Sequence, residues 1–71
     1  MKLSTSEKIR ILCKRKNITL AQLAEKLNIS SQNLSNKLSR DNFPEKELKK
    51  IAETLGCFYE SYFVLDDNEK I

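Results

Sequence analysis

The 71-residue sequence contains no histidine and no tryptophan, and only one glycine, one proline and two cysteines. Without histidine the chain lacks the side chain best suited to proton transfer near neutral pH, which is also the commonest metal ligand. A lone glycine, Gly56, cannot build the glycine-rich loops that cradle phosphates. Cys13 and Cys57 are not at metal-ligand spacing, and each lies among apolar neighbours, as small buried hydrophobes do. No apolar run approaches the roughly 20 residues that cross a bilayer. The opening Met-Lys-Leu-Ser-Thr-Ser-Glu lacks the apolar stretch of a signal peptide. A chain of this size buries only about 60% of its unfolded surface, which leaves little room for a deep catalytic cleft. These absences predict a single small domain that is cytoplasmic, with no membrane role, no enzymatic activity, no metal and no cofactor. Reduced thiols fit that compartment.

Charge is present but unevenly placed. Residues 1–40 carry nine Lys/Arg and two Glu, a net of +7, and residues 41–71 carry four Lys and eight Asp/Glu, a net of −4. A basic half joined to an acidic half suggests that one end meets a polyanion. An unevenly charged solvated surface would look the same by charge alone.

Four helices are legible. The first is predicted over about Thr5 to Lys16, opened by a Ser4/Glu7 capping box and carrying Ile9, Leu12 and Cys13 on its apolar face. The second follows Thr19, which makes a capping box with Gln22, while Ile18 and Leu23 stand at hydrophobic-staple spacing. Its Leu20, Leu23, Ala24 and Leu27 share one face. Asn28, a residue type that tolerates left-handed angles, occupies the tight turn. The third helix, Ser31–Ser39, is capped by Ser30 and turns Leu34 and Leu38 inward. The fourth runs from Pro44 in its first turn to about Leu55, with Leu48, Ile51, Ala52 and Leu55 on the core face and Gly56 as terminator.

The outer face of the third helix is unusual. It offers Ser31, Gln32, Asn33, Ser35, Asn36 and Ser39, with Lys37 and Arg40 adding positive charge, and it holds no acid between Gln32 and Arg40. An ordinary solvent face mixes Lys with Glu, as the fourth helix does. Base edges in the major groove present donors and acceptors together, and Gln and Asn amides carry both, whereas an acid would repel phosphates.

The segment Ile18–Leu38 resembles the phage repressor/Cro-type helix-turn-helix family, also called the XRE type. The resemblance rests on Thr19, Leu23-Ala24, Leu27, the turn at Asn28, Ile29-Ser30 and Leu34-Ser35. It continues through Ile51-Ala52 and Leu55-Gly56, covering about residues 6–56. It implies a mainly α, four-helix lambda-repressor-like domain and a sequence-specific transcriptional regulator, expected to be a repressor. Such a regulator binds double-stranded DNA as a homodimer at a pseudo-palindromic operator, and no small-molecule effector is evident. The base-reading positions it implies are Ser31, Gln32 and Asn36, with Asn33 and Lys37 touching base or backbone. Thr19, Arg40, Asn42 and the first turn of the fourth helix would approach phosphates. The chain departs from the family pattern at three places: Leu20 stands where many members have Gln, Asn28 where Gly is frequent, and Ser39-Arg40 where Asn-Gly is frequent. A helix-turn-helix protein that acts mainly by protein contact, such as an antitoxin or antirepressor, is the alternative.

Residues 57–71 stand apart from this pattern, with residues 1–56 as the DNA-binding domain. Four of the five aromatics fall here, at Phe58, Tyr59, Tyr62 and Phe63. Residues 57–65 suit a β-strand better than a fifth helix, with a turn at Asp66-Asp67-Asn68 and a short return strand over 69–71. The aromatics either complete the monomer core or form a dimer interface, with strand 57–65 pairing across the two-fold axis. A dimer would set two recognition helices about 34–36 Å apart, one turn of DNA.

Overall fold

The structure is a computed structural model that describes residues 2–71. Four helices follow one another closely: α1 (Thr5–Arg15), α2 (Leu20–Lys26), α3 (Ser31–Arg40) and α4 (Glu45–Thr54). α2 packs against both α1 and α3. Both expected capping boxes form. The Ser4 and Thr19 hydroxyls accept from the Glu7 and Gln22 backbone N–H groups, and the Glu7 and Gln22 side chains accept in return from the cap backbones. Ser30 caps α3 by accepting from Asn33 N–H at 3.0 Å. Pro44 sits one place outside the expected first turn. It is the N-cap of α4 and makes no side-chain cap, and its carbonyl accepts the first intrahelical bond from Leu48 N–H.

The core matches the apolar faces read from the sequence, with one polar addition. Ile9, Cys13, Leu23, Ala24, Leu27, Leu34, Leu38, Ile51 and Leu55 form one buried cluster, and Leu12, Ile18, Leu20, Ile29, Leu48 and Cys57 pack against its rim. Leu23 and Leu34 are completely enclosed, which locks α2 to α3. Ser6 is also buried, and its hydroxyl donates to the Leu38 carbonyl at 2.7 Å. Both cysteines are free, Cys13 buried and Cys57 half-buried, and burial raises the Cys13 thiol pKa.

All four helices end in the same way. Asn17, Asn28, Asp41 and Gly56 take positive φ, and the N–H of the residue after each reaches back to a carbonyl in the last turn. Ile18 donates to Cys13, Ile29 to Ala24, Asn42 to Lys37 and Cys57 to Ala52. This is the Schellman geometry, which satisfies carbonyls that a helix end leaves unpaired. Where the residue after the turn is Ile18, Ile29 or Cys57, it packs on the core rim, so the chain reverses sharply and the helices stay compact.

The tail corrects the expectation of a strand. Residues 57–65 form neither a strand nor a fifth helix; one antiparallel bridge, Val64 with Lys70, closes a turn over residues 66–68. Asp67 accepts from Glu69 N–H in that turn, and Asn68 has φ 68°. The physical reason is lack of a face to pack on. Phe63, Val64, Leu65 and Ile71 are exposed, and an isolated two-stranded pairing is marginal in water. The described chain is more extended than a compact one. Its radius of gyration is 13.4 Å, against about 11 Å for a compact chain of this length.

Candidate nucleic-acid interface

α3 is held from beneath and bare above. Leu34 and Leu38 are buried, while Ser31, Gln32, Asn33, Ser35, Asn36 and Ser39 are exposed. Gln32 and Asn36 lie one turn apart, and Gln32 Nε2 donates to Asn36 Oδ1 at 3.0 Å. The pair leaves Gln32 Oε1 as a free acceptor and Asn36 Nδ2 as a free donor. Two adjacent amides thus present one acceptor–donor edge, the complement of what the adenine edge offers in the major groove. Asn33 has its backbone N–H committed to Ser30, and its side chain faces solvent.

Lys37 is placed differently. It is half-buried, and its ammonium pairs with the Glu47 carboxylate of α4. Glu47 is the third residue of α4, where the helix dipole favours an anion, and its other oxygen, Oε2, is buried without a partner. In the structure Lys37 therefore spans α3 and α4 and does not project from the outer face. No sequence signal announced this pair, because the two residues come from different helices and meet only when the loop after α3 folds.

The expected phosphate-side residues lie before α2 and around the end of α3. The Thr19 hydroxyl accepts from Gln22 N–H, so its own hydrogen remains available to an external acceptor. Arg40 is exposed in the last turn of α3, and Asn42 is exposed just beyond. Asp41 lies between them in the chain, and its carboxylate accepts from Ser6 N–H at 2.7 Å.

The aromatic tail lies elsewhere. Phe58 is 97% exposed, Phe63 78%, Tyr62 49% and Tyr59 37%. These side chains do not complete the core. The tail returns along α4, where Ser61 Oγ donates to Glu45 Oε1 at 2.7 Å, and Lys70 sits 4.5 Å above the Tyr62 ring. Among the described residues no helix is long and apolar enough to cross a membrane.

Residues 8–59 match the model of the Cro/C1-type HTH DNA-binding domain, well over half of the chain. No curated protein and no solved structure matches it.

Proposed function

Since the chain belongs to the Cro/C1-type helix-turn-helix DNA-binding family, we propose that it is a sequence-specific transcriptional repressor that reads a pseudo-palindromic operator as a homodimer in the cytoplasm. α3 enters the major groove. Ser31, Gln32 and Asn36 read base edges, and Asn33 lies beside them. Thr19, Arg40 and Asn42 hold phosphates. Residues 1–56 are the DNA-binding unit, and residues 57–71 bring two copies together through Phe58, Tyr59, Tyr62 and Phe63.

The observation that carries this reading is the acid-free outer face of α3, with its Gln32–Asn36 amide pair, set on a helix locked by Leu34 and Leu38. Amide and hydroxyl groups at this density suit base edges, while the surrounding cations suit the backbone. Selection of bound duplexes from a random pool tests it, because the recovered consensus gives sequence preference, symmetry and half-site spacing together. A symmetric consensus with half-sites one turn apart is expected. Recovery of no preferred sequence would reject base reading by α3.

The exposure of Phe58 and Phe63 favours a second reading, in which the protein acts mainly by contact with another protein, as an antitoxin or antirepressor does. A mobility-shift series in low salt separates the two. If no duplex is bound, the protein's own promoter included, protein contact is the function.

A further inference from the structure

Arg10 has no part in the reading above, yet the structure places it against the helix-turn-helix. It is exposed on α1 and lines a crevice of about 150 Å³ with Leu20 and Ala21 from the first turn of α2 and Ser31 and Ser35 from α3. Three helices therefore meet at this side chain. No carboxylate pairs with it: among the described residues the ion pair is Lys37–Glu47. The crevice is poor in other donors with reach. Leu20 and Ala21 are apolar, and the two serines have short side chains. Of the two cations on α3, Lys37 is spent on Glu47 and Arg40 lies in the last turn, at the far end from Ser31. Positive charge beside the start of the reading helix thus comes from α1.

Thr19, one residue before Leu20, keeps a free hydroxyl hydrogen.

We propose that Arg10 is a phosphate clamp. Its guanidinium holds one DNA backbone phosphate next to the bases that Ser31, Gln32 and Asn36 face. This inference rests on the reading of α3 as the DNA-entering helix. A planar guanidinium donates two parallel N–H groups to phosphate oxygens, which fixes orientation as well as supplying charge. The clamp sets how deeply α3 sits in the groove and carries no sequence information of its own.

The test is a salt series by fluorescence anisotropy with the full chain and a short mixed-sequence duplex, from about 50 to about 200 mM salt, since each neutralised phosphate adds about 0.9 to the log–log slope. Arg10→Gln should shallow the slope by about 0.9 per bound protomer, so that its affinity falls about 3.5-fold less than wild type over this range. Arg10→Lys should restore the slope. Lys26→Gln removes the same charge on another side of α2, beside Asn17 and Ile18, and should change the slope less. Circular dichroism melting should show Arg10→Gln folded as wild type, because the side chain is exposed. An Arg10→Gln slope equal to wild type, or altered no more than that of Lys26→Gln, overturns the clamp while leaving the DNA reading intact. Absence of any binding by wild type at the lowest salt overturns the DNA reading and the clamp with it.

Discussion

The Asp41 carboxylate, in the left-handed residue that ends α3, accepts a 2.7 Å hydrogen bond from the backbone N–H of Ser6 in the first turn of α1. Ser6 Oγ returns a 2.7 Å bond to the Leu38 carbonyl. Two helix ends thereby satisfy each other: an orphan donor of α1 meets an anion, and a carbonyl near the end of α3 meets a hydroxyl. Ser6→Ala removes the buried bond to Leu38 and should cost about 1–2 kcal/mol. Asp41→Ala loses the contact with Ser6 N–H and the tolerance for positive φ, and should cost more. Asp41→Asn keeps both and should cost less than either. Urea midpoints at unchanged m report the order, and a different ranking would mean that this junction does not orient α3.

The four left-handed terminators make a second prediction. Gly56 has φ 72°, and a Cβ there would meet nothing within 4 Å. Gly56→Ala is therefore a nearly pure backbone test, expected to cost about 1–2 kcal/mol. Asn28→Gly should change stability by no more than about 0.5 kcal/mol, because relief at positive φ is offset by the freer unfolded chain. Each kcal/mol should move Tm by about 4–8 °C in a domain of this size.

How far the sequence goes is clear from these elements. The capping boxes, the staple and the 3.6-residue spacing of Leu23, Ala24 and Leu27 are local, so helices, core and outer face of α3 were legible before any packing was known. Asn28 and Gly56 are legible as turns, and Asn17 and Asp41 do the same work at ends that no glycine marks. Ser6–Asp41 and Lys37–Glu47 join residues far apart in the chain, and no local pattern encodes either. The tail failed for a different reason. Its aromatic, β-branched composition favours extended backbone, but a strand also needs a partner and a face to pack on, and among the described residues the pairing is confined to the short return over 69–71.

Lys37–Glu47 leads to a prediction about affinity. While Glu47 holds the ammonium, Lys37 is unavailable to DNA. Glu47→Gln removes that competitor and the buried, unpartnered Oε2 charge together. DNA binding should tighten, and the salt slope should steepen by about 0.9 per protomer as Lys37 gains a phosphate. Weaker binding with an unchanged slope would show instead that Glu47 is needed to position α3 against α4.

The Gln32–Asn36 bond implies that the two amides act as one reader. Gln32→Ala and Asn36→Ala should each relax preference at the same base pair and cost about 1–3 kcal/mol on the preferred duplex. The double substitution should cost little more than either single one, because each removes the edge that the other completes. A double-mutant cycle on matched and mismatched duplexes measures this coupling. Additive losses at two different base pairs would mean that the side chains read independently and that their mutual bond breaks on binding.

The exposed aromatics make the last prediction. Phe58 and Phe63 contribute little to the monomer, since they are 97% and 78% exposed. Deleting the whole tail is a poor test, because Cys57 closes the end of α4 through its bond to Ala52. Phe58→Ser with Phe63→Ser spares that cap and removes apolar area from solvent-facing positions. If these rings join two protomers, sedimentation of the double variant should shift from dimer to monomer. Operator affinity should then fall by at least about tenfold, since the two copies of α3 no longer bind as a linked pair. Thermal unfolding at concentrations where wild type is monomeric should be unaffected. A variant that sediments as wild type and binds DNA as wild type would show that the two-fold arrangement is made by another surface.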